Sequence, residues 1–319
     1  MKKAVKVVGS AWGQRIALLA LIFIVMAFLE PRFFRVTNAK GILLAISVNG
    51  IMACGMLFTV LVGGMDLSVG SMAGISASAA FIITKSHNFS SGSFLLGCAV
   101  ALGLCVVAGL MNGFFVTRFG LPAFVVTLAM KYVLFGFIYL VTKSFFVIPP
   151  ASSMASRLGN GNVFGIPMPI VAFIVVVAIC AFVLGMTTYG RKLYAIGGNK
   201  NVANLAGVKS NANIAVAFVI SSVLAGLGGI MLASMNGQAG QTTAINYEGN
   251  VLMAMVVGGV NLAGGEGGVP GAIFGALLVG VINNAMLMLS ISSDIQKFVQ
   301  GVVILAAMTL SMYAKRGRG

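Results

Sequence analysis

The sequence predicts an all-α, polytopic integral membrane protein of about ten transmembrane helices, with tight Gly-rich turns and an internal repeat. Three observations predict it. Of 319 residues, 59% are hydrophobic and only 8% charged, at a mean hydropathy of +1.06. No soluble domain of this length hides so much apolar surface behind so few charges. Apolar runs near the roughly 20 residues a bilayer span needs follow one another with short polar breaks. The 20 basic residues, against 5 acidic, sit between those runs, not in one patch. They read as topology signals and contacts for anionic membrane lipid, with no nucleic-acid partner. A soluble enzyme and a disordered chain are excluded on the same grounds.

The breaks place spans at 14–30, 41–62, 67–84, 93–116, 121–142, 164–186, 212–235, 249–262, 270–290 and 296–313. The first follows Lys2, Lys3, Lys6 and Arg15 and ends at Glu30-Pro31-Arg32. No small-residue cleavage site follows it, so it reads as an uncleaved span and not a signal peptide. The second and third spans are split only by 63–66, a very tight turn. The eighth is short. Eight to ten spans fit the pattern, and ten is the reading taken. With the N-terminus inside, the inside segments carry Lys2, Lys3, Lys6, Arg15, Arg118, Arg191, Lys192, Lys200, Lys209, Lys315, Arg316 and Arg318. The outside segments carry fewer: Arg32, Arg35, Lys40, Lys85, Lys143, Arg157 and Lys297. Both termini are therefore expected in the cytoplasm. The chain reads as one transmembrane domain, 1–319, with a cytoplasmic N-terminus at 1–13 and a long basic cytoplasmic loop at 187–211.

Glycine spacing says how the spans pack. Gly70 and Gly74 are four apart, as are Gly271 and Gly275, and such pairs let helix backbones approach closely. An internal echo links Gly63-Gly64-Met65-Asp66-Leu67 with Gly258-Gly259-Val260-Asn261-Leu262, 195 residues later. Paired interruptions of this kind mark transport pathways in repeat-built transporters. Six spans separate them, which implies parallel copies.

The chemistry is sparse. No Gly-Lys dipeptide occurs, so the chain has no P-loop of its own. No Gly-x-Ser-x-Gly elbow occurs either, and His87 is the only histidine. Cys54, Cys98, Cys105 and Cys180 all lie in apolar runs and read as small buried side chains, neither disulfides nor a metal site. No catalytic residue and no metal ligand is expected. Asp66 has two compatible readings: part of a broken-helix pathway element, or an N-cap for a helix beginning at Leu67. Lys131 is well inside a span, where a charge costs about 2.5–3.5 kcal/mol on insertion scales. It either faces a wet interior or a polar partner, or snorkels to an interface. Glu248 and the other acids fall in predicted loops or at span ends. Asn49, Ser68, Asn112, Thr127, Asn283 and Asn284 are polar within spans. They serve either as interhelical glue or as the lining of a path suited to a small neutral, hydroxyl-rich solute. The 187–211 loop, with a helix-like piece at 201–205, is either a positive-inside anchor or a docking element for a cytoplasmic partner.

From about Pro31 to Ala314 the sequence resembles the permease subunits of bacterial ABC importers of the ribose/galactose monosaccharide class. Five pieces carry the resemblance: GGMDLSVGS (63–71), FGLPAFVVTLAM (119–130), YGRKLYAIGGNKNVANLAGV (189–208), VVGGVNLAGGEGGVPGAIFGALLVG (256–280) and NNAMLML (283–289). The resemblance implies a ten-span permease, paired with a second permease subunit, identical or paralogous. It also implies a cytoplasmic ABC ATPase, where ATP and Mg would bind, and an extracytoplasmic sugar-binding protein. The ATPase-coupling residues carry over to Gly190, Arg191, Gly197, Gly198, Asn199, Ala203 and Gly207. Candidate pathway residues are Asn49, Asp66, Ser68, Lys131, Asn261, Asn283 and Asn284. The chain departs from its relatives at Phe135, where many carry arginine; Lys131 stands one turn earlier on the same face. It departs again at Asn250, where an acid is lost, at Asn261 and Glu266, and in the outer loop 145–165. Alternatives to a sugar importer are a stand-alone secondary carrier or channel and, within the family, import of a nucleoside or signalling molecule.

Overall fold

The structure, a computed structural model, describes residues 11–143 and 145–316. Most of the N-terminal segment 1–13 therefore lies outside the described residues. Helices stand at all ten expected spans. They are α1 (Ala11–Leu29), α2 (Val36–Leu61), α3 (Val69–Ser86), α4 (Ser91–Arg118), α5 (Ala123–Thr142), then a short α6 (Met154–Asn160) and α7 (Met168–Met186). There follow α8 (Thr188–Gly198), α9 (Lys200–Leu205), α10 (Ser210–Asn236), α11 (Tyr247–Val257), α12 (Val269–Met288) and α13 (Ser293–Arg316). Among the described residues, α2, α4, α5, α7, α10 and α12 are long and apolar enough to cross a membrane; α11 and the Arg15–Leu29 part of α1 are shorter apolar helices.

Burial sorts these helices into two layers. The most apolar window of α2 is 78% buried and that of α10 is 61%, whereas that of α7 is only 22%. The centre is therefore α2, α3 and α10, with α4, α5 and α7 presenting outer faces such as Leu104, Val133 and Ile179. α3 is rich in Gly, Ala and Ser and is buried from Val69 to Phe81. Small side chains let its neighbours come close: a Cβ on Gly229 of α10 would overlap the backbone of Ala73. With no hydrophobic drive between helices in lipid, such contact area carries the packing. The two predicted glycine pairs behave the same way. Gly271 and Gly275 meet the carbonyls of Gly258 and Ala254, and Gly70 and Gly74 meet the segment around Thr243 and Ala244.

Some boundaries differ from expectation. The predicted 164–186 span begins at Met168, because Asn162–Val163 and Ile166–Pro167 pair as a small antiparallel hairpin. Helix α3 begins at Val69 with Ser68 as its cap residue, so Asp66 is not the N-cap of a helix starting at Leu67. The predicted 249–262 span is only Tyr247–Val257, and residues 258–268 form a turn. The 187–211 loop is largely helical, with α8 preceding the expected 201–205 piece. All four cysteines are free thiols, and Cys98 is only partly buried.

Loops at one end of the bundle gather round α8 and α9. Gly63 lies against Ala263, Gly64 against Ala123, and Gly197 against Leu61 and Gly265. Loops at the other end are tied by the Val147–Ala239 bridge and by Asn160 donating to the Ser234 carbonyl at 3.2 Å.

Candidate functional site

Of the irregular segments between spans, two lie beside buried polar side chains. Residues 62–68 join α2 to α3, and residues 237–246 join α10 to α11. Irregular backbone is tolerated at membrane depth only where protein or a wet cavity satisfies it, and polar side chains do that here. Asp66 is fully buried and accepts from the Ser68 amide at 3.0 Å, the Ser68 hydroxyl at 2.5 Å and the Ser221 hydroxyl at 2.8 Å. Asn112 donates to the Ser68 hydroxyl at 3.1 Å. Thr127 receives the Leu67 amide at 3.0 Å and donates to the Met65 carbonyl at 3.0 Å. Three helices, α4, α5 and α10, thus clamp one irregular segment. Ser221 lies eleven residues into α10, about 16 Å along its axis, so Asp66 is well inside the bundle.

One turn along α5 from Thr127, Lys131 donates to Glu248 Oε1 at 2.5 Å. Glu248, expected in a loop or at a span end, lies in the first turn of α11 with its side chain 9% exposed. Its second oxygen, Oε2, is buried and accepts no hydrogen bond among the described residues. A Cβ on Gly70 would overlap that oxygen, so a glycine is required there. The face of α5 carrying Thr127 and Lys131 therefore contacts both the 62–68 segment and the first turn of α11.

The remaining pathway candidates separate. Asn49 is buried on α2, and its Oδ1 has no partner among the described residues. Asn283 donates to Asn250 at 3.2 Å, and Gln300 donates to both Asn250 and Asn283, joining α11, α12 and α13. Asn284 instead exchanges amide bonds with Asn38 at 2.9 and 3.0 Å, tying α12 to α2. Asn261 lies in the 258–268 turn, where it contacts Gly264 and Glu266.

The sequence echo has a structural counterpart, shifted by one residue. Helix α2 ends with the Gly63 amide on Val60, the Gly64 amide on Thr59 and Gly63 at φ +77°. Helix α11 ends with the Gly259 amide on Val256, the Val260 amide on Met255 and Gly259 at φ +71°. Both are the glycine-closed helix ends in which orphan carbonyls find amide donors. Gly63 thus corresponds to Gly259, and Asp66 to Leu262, not Asn261. Both helix ends lie at the same end of the bundle, as parallel copies require.

The coupling candidates occupy that end. Gly190, Leu193 and Ile196 form the buried face of α8, and Arg191 and Lys192 are exposed. A Cβ on Gly197 would overlap the Leu61 carbonyl and the Gly265 amide, so α8 touches both the end of α2 and the 258–268 turn. The Tyr194 hydroxyl donates to the Gly267 carbonyl at 3.0 Å. Asn199 caps α9 by accepting from the amides of Asn201 and Val202. Ala203 is buried, Gly198 is open, and Gly207 turns the chain at φ +81°. Sequence reasoning missed Val202 and Leu205 of α9, which are 60% and 90% exposed. Their i, i+3 spacing was the available signal. Among the described residues, no cluster of His, Cys, Asp and Glu is arranged to hold a metal.

A family model described as branched-chain amino acid transport system / permease component matches residues 38–308. The chain belongs to this permease family. Over 316 residues the permease is 36% identical to the L-arabinose transport system permease protein AraH of Escherichia coli (strain K12), covering 97% of this chain and 94% of that one. It is 36% identical over 301 residues to the ribose import permease protein RbsC of Haemophilus influenzae, covering 93% and 92%. It is 31% identical over 293 residues to the RbsC of Bacillus subtilis (strain 168), covering 92% and 90%. No solved structure matches the permease. These relatives bear out the resemblance carried by the five motifs, and with it a multi-pass membrane permease subunit.

Proposed function

We propose that this permease is the translocating subunit of an ATP-driven importer for a monosaccharide, pentose or hexose, or a related polyol. An extracytoplasmic binding protein delivers the solute. A cytoplasmic ABC ATPase, which carries the ATP and Mg, drives the cycle, and a second permease subunit, identical or paralogous, completes the pathway. The permease resides in the bacterial inner membrane with both termini and α8–α9 in the cytoplasm. The observation that carries this reading is the seating of Gly197 between Leu61 and Gly265. A push on α8 reaches the end of α2 and the 258–268 turn at once. The exposed Val202 and Leu205 of α9 offer apolar contacts for the ATPase, and the exposed Arg191, Lys192 and Lys200 of α8 and α9 offer basic ones.

In this reading ATP binding moves α8 and α9 with the ATPase. The moved helices favour one of two access states, because they contact α2 and the 258–268 turn differently in each. The permease supplies differential stability and no bond-making. Asp66 and Ser68 hold the 62–68 segment as a rigid unit, so displacement at Leu61 is passed on and not absorbed. Lys131, Asn49 and Asn283 face the path of a neutral solute, and Asn261 acts with the coupling turn. The experiment is co-purification of the permease with its neighbouring ABC ATPase and loaded binding protein. A stable complex whose ATP hydrolysis rises with loaded binding protein supports the reading. Absence of any ATPase association counts against it.

A further inference from the structure

We infer that Glu248 is a solute-recognition residue, binding hydroxyl groups of the passing solute with its free carboxylate oxygen while Lys131 positions it. The inference rests on the permease reading above and names a contact within that pathway. Three observations carry it. Lys131 stands eight residues into the twenty-residue α5, about 12 Å along its axis, so the pair is at mid-depth in the bundle. Glu248 Oε1 is committed to Lys131, whereas Oε2 is buried without any donor among the described residues. Where the seam around Oε2 meets α3 it also presents backbone carbonyls: Ala244 O faces Gly70 and Thr243 O faces Gly74, each 2.9 Å from where a Cβ would stand.

A buried carboxylate oxygen without a donor calls for a ligand that brings one. A sugar or polyol brings a donor on every hydroxyl, whereas an anionic solute would place like charge against Glu248. In this state the seam is closed by Gly70, and a buried carboxylate oxygen without a donor is unfavourable. Separation of α3 from α11 exposes Oε2, and a solute hydroxyl then satisfies it with a charge-assisted bond. The solute thereby favours the open state through a contact that the closed state lacks. Gly70 is required because any side chain there would fill the place of the carboxylate.

The test uses the reconstituted permease, ATPase and binding protein with a labelled neutral pentose. Sugar moved and ATP hydrolysed are measured together, at saturating loaded binding protein. Glu248→Gln is expected to lower sugar moved per ATP about tenfold or more, the worth of one charge-assisted hydrogen bond. ATP hydrolysis and the yield of assembled complex stay near wild type. The charge-swapped double variant K131E/E248K keeps an ion pair and is expected to assemble but not to regain sugar per ATP. It also serves where Glu248→Gln fails to fold. Recovery of wild-type sugar per ATP in the swap would overturn the inference and reduce the pair to a structural brace. If wild-type complex moves no neutral sugar with ATP, the permease reading itself fails, and the inference with it.

Discussion

Gly197 and Leu61 meet so closely that α8 rests directly on the last carbonyl of α2. A segment outside the spans therefore touches the helix that leads into the buried Asp66 turn. The contact is steric and of short range, so movement of α8 cannot leave α2 in place. Gly197→Val is expected to assemble with the ATPase but to lose uptake at least about tenfold, because overpacking such a site costs about 1–3 kcal/mol. Gly198 is the matched control: among the described residues, no atom outside its own stretch of helix lies within 4 Å of its would-be Cβ, and Gly198→Ala is expected to retain wild-type uptake. Parallel uptake and co-purification assays read both variants.

The exposed apolar residues of α9 give a second prediction. Leu205 is 90% exposed, so Leu205→Asp is expected to leave the unfolding midpoint unchanged. If Leu205 is the docking anchor, the same change weakens ATPase binding by about 2 kcal/mol or more. Titration of immobilised permease with purified ATPase measures this. Equal affinity for wild type and variant would remove α9 from the interface.

Asp66 gives a third. Asp66→Ala leaves the Ser221 hydroxyl and the Ser68 amide without their acceptor. A loss of about 2–5 kcal/mol is expected, since orphaning buried groups costs more than the mean hydrogen bond. Ser221→Ala removes one donor of three and is expected to cost about 1–2 kcal/mol. Unfolding in detergent, followed by denaturant, ranks the two variants.

The neighbouring asparagines give a fourth. Asn284 bonds Asn38, whereas Asn283 bonds Asn250 and Gln300. A double-mutant cycle between Asn38 and Asn284 is expected to show coupling of about 0.6–2 kcal/mol. The same cycle between Asn38 and Asn283 is expected to show coupling near zero.

The helices are legible because an apolar run of bilayer length has few folds open to it besides a span, and each predicted span holds a helix. The turn at Gly63-Gly64 and the N-cap at Asn199 are legible for local reasons. Pairing across distance is not. Glu248 follows Asn and Tyr and precedes Gly, which reads as loop, and its partner Lys131 lies 117 residues away. Lys131 is visible as an oddity, yet nothing local says which acid meets it. Asp66 reads as a cap because caps are local, whereas its tie beyond the turn runs 155 residues to Ser221. The one-residue shift of the internal echo is also hidden. Identical letters align Gly63 with Gly258, but backbone geometry aligns it with Gly259.

The most direct measurement is solute uptake by proteoliposomes holding the permease, its ATPase and its binding protein, with labelled pentoses and hexoses. Uptake that requires ATP on the ATPase face and loaded binding protein on the opposite face is the expected result. Uptake by the permease alone, indifferent to ATP and following a proton or sodium gradient, would contradict an ATP-driven importer.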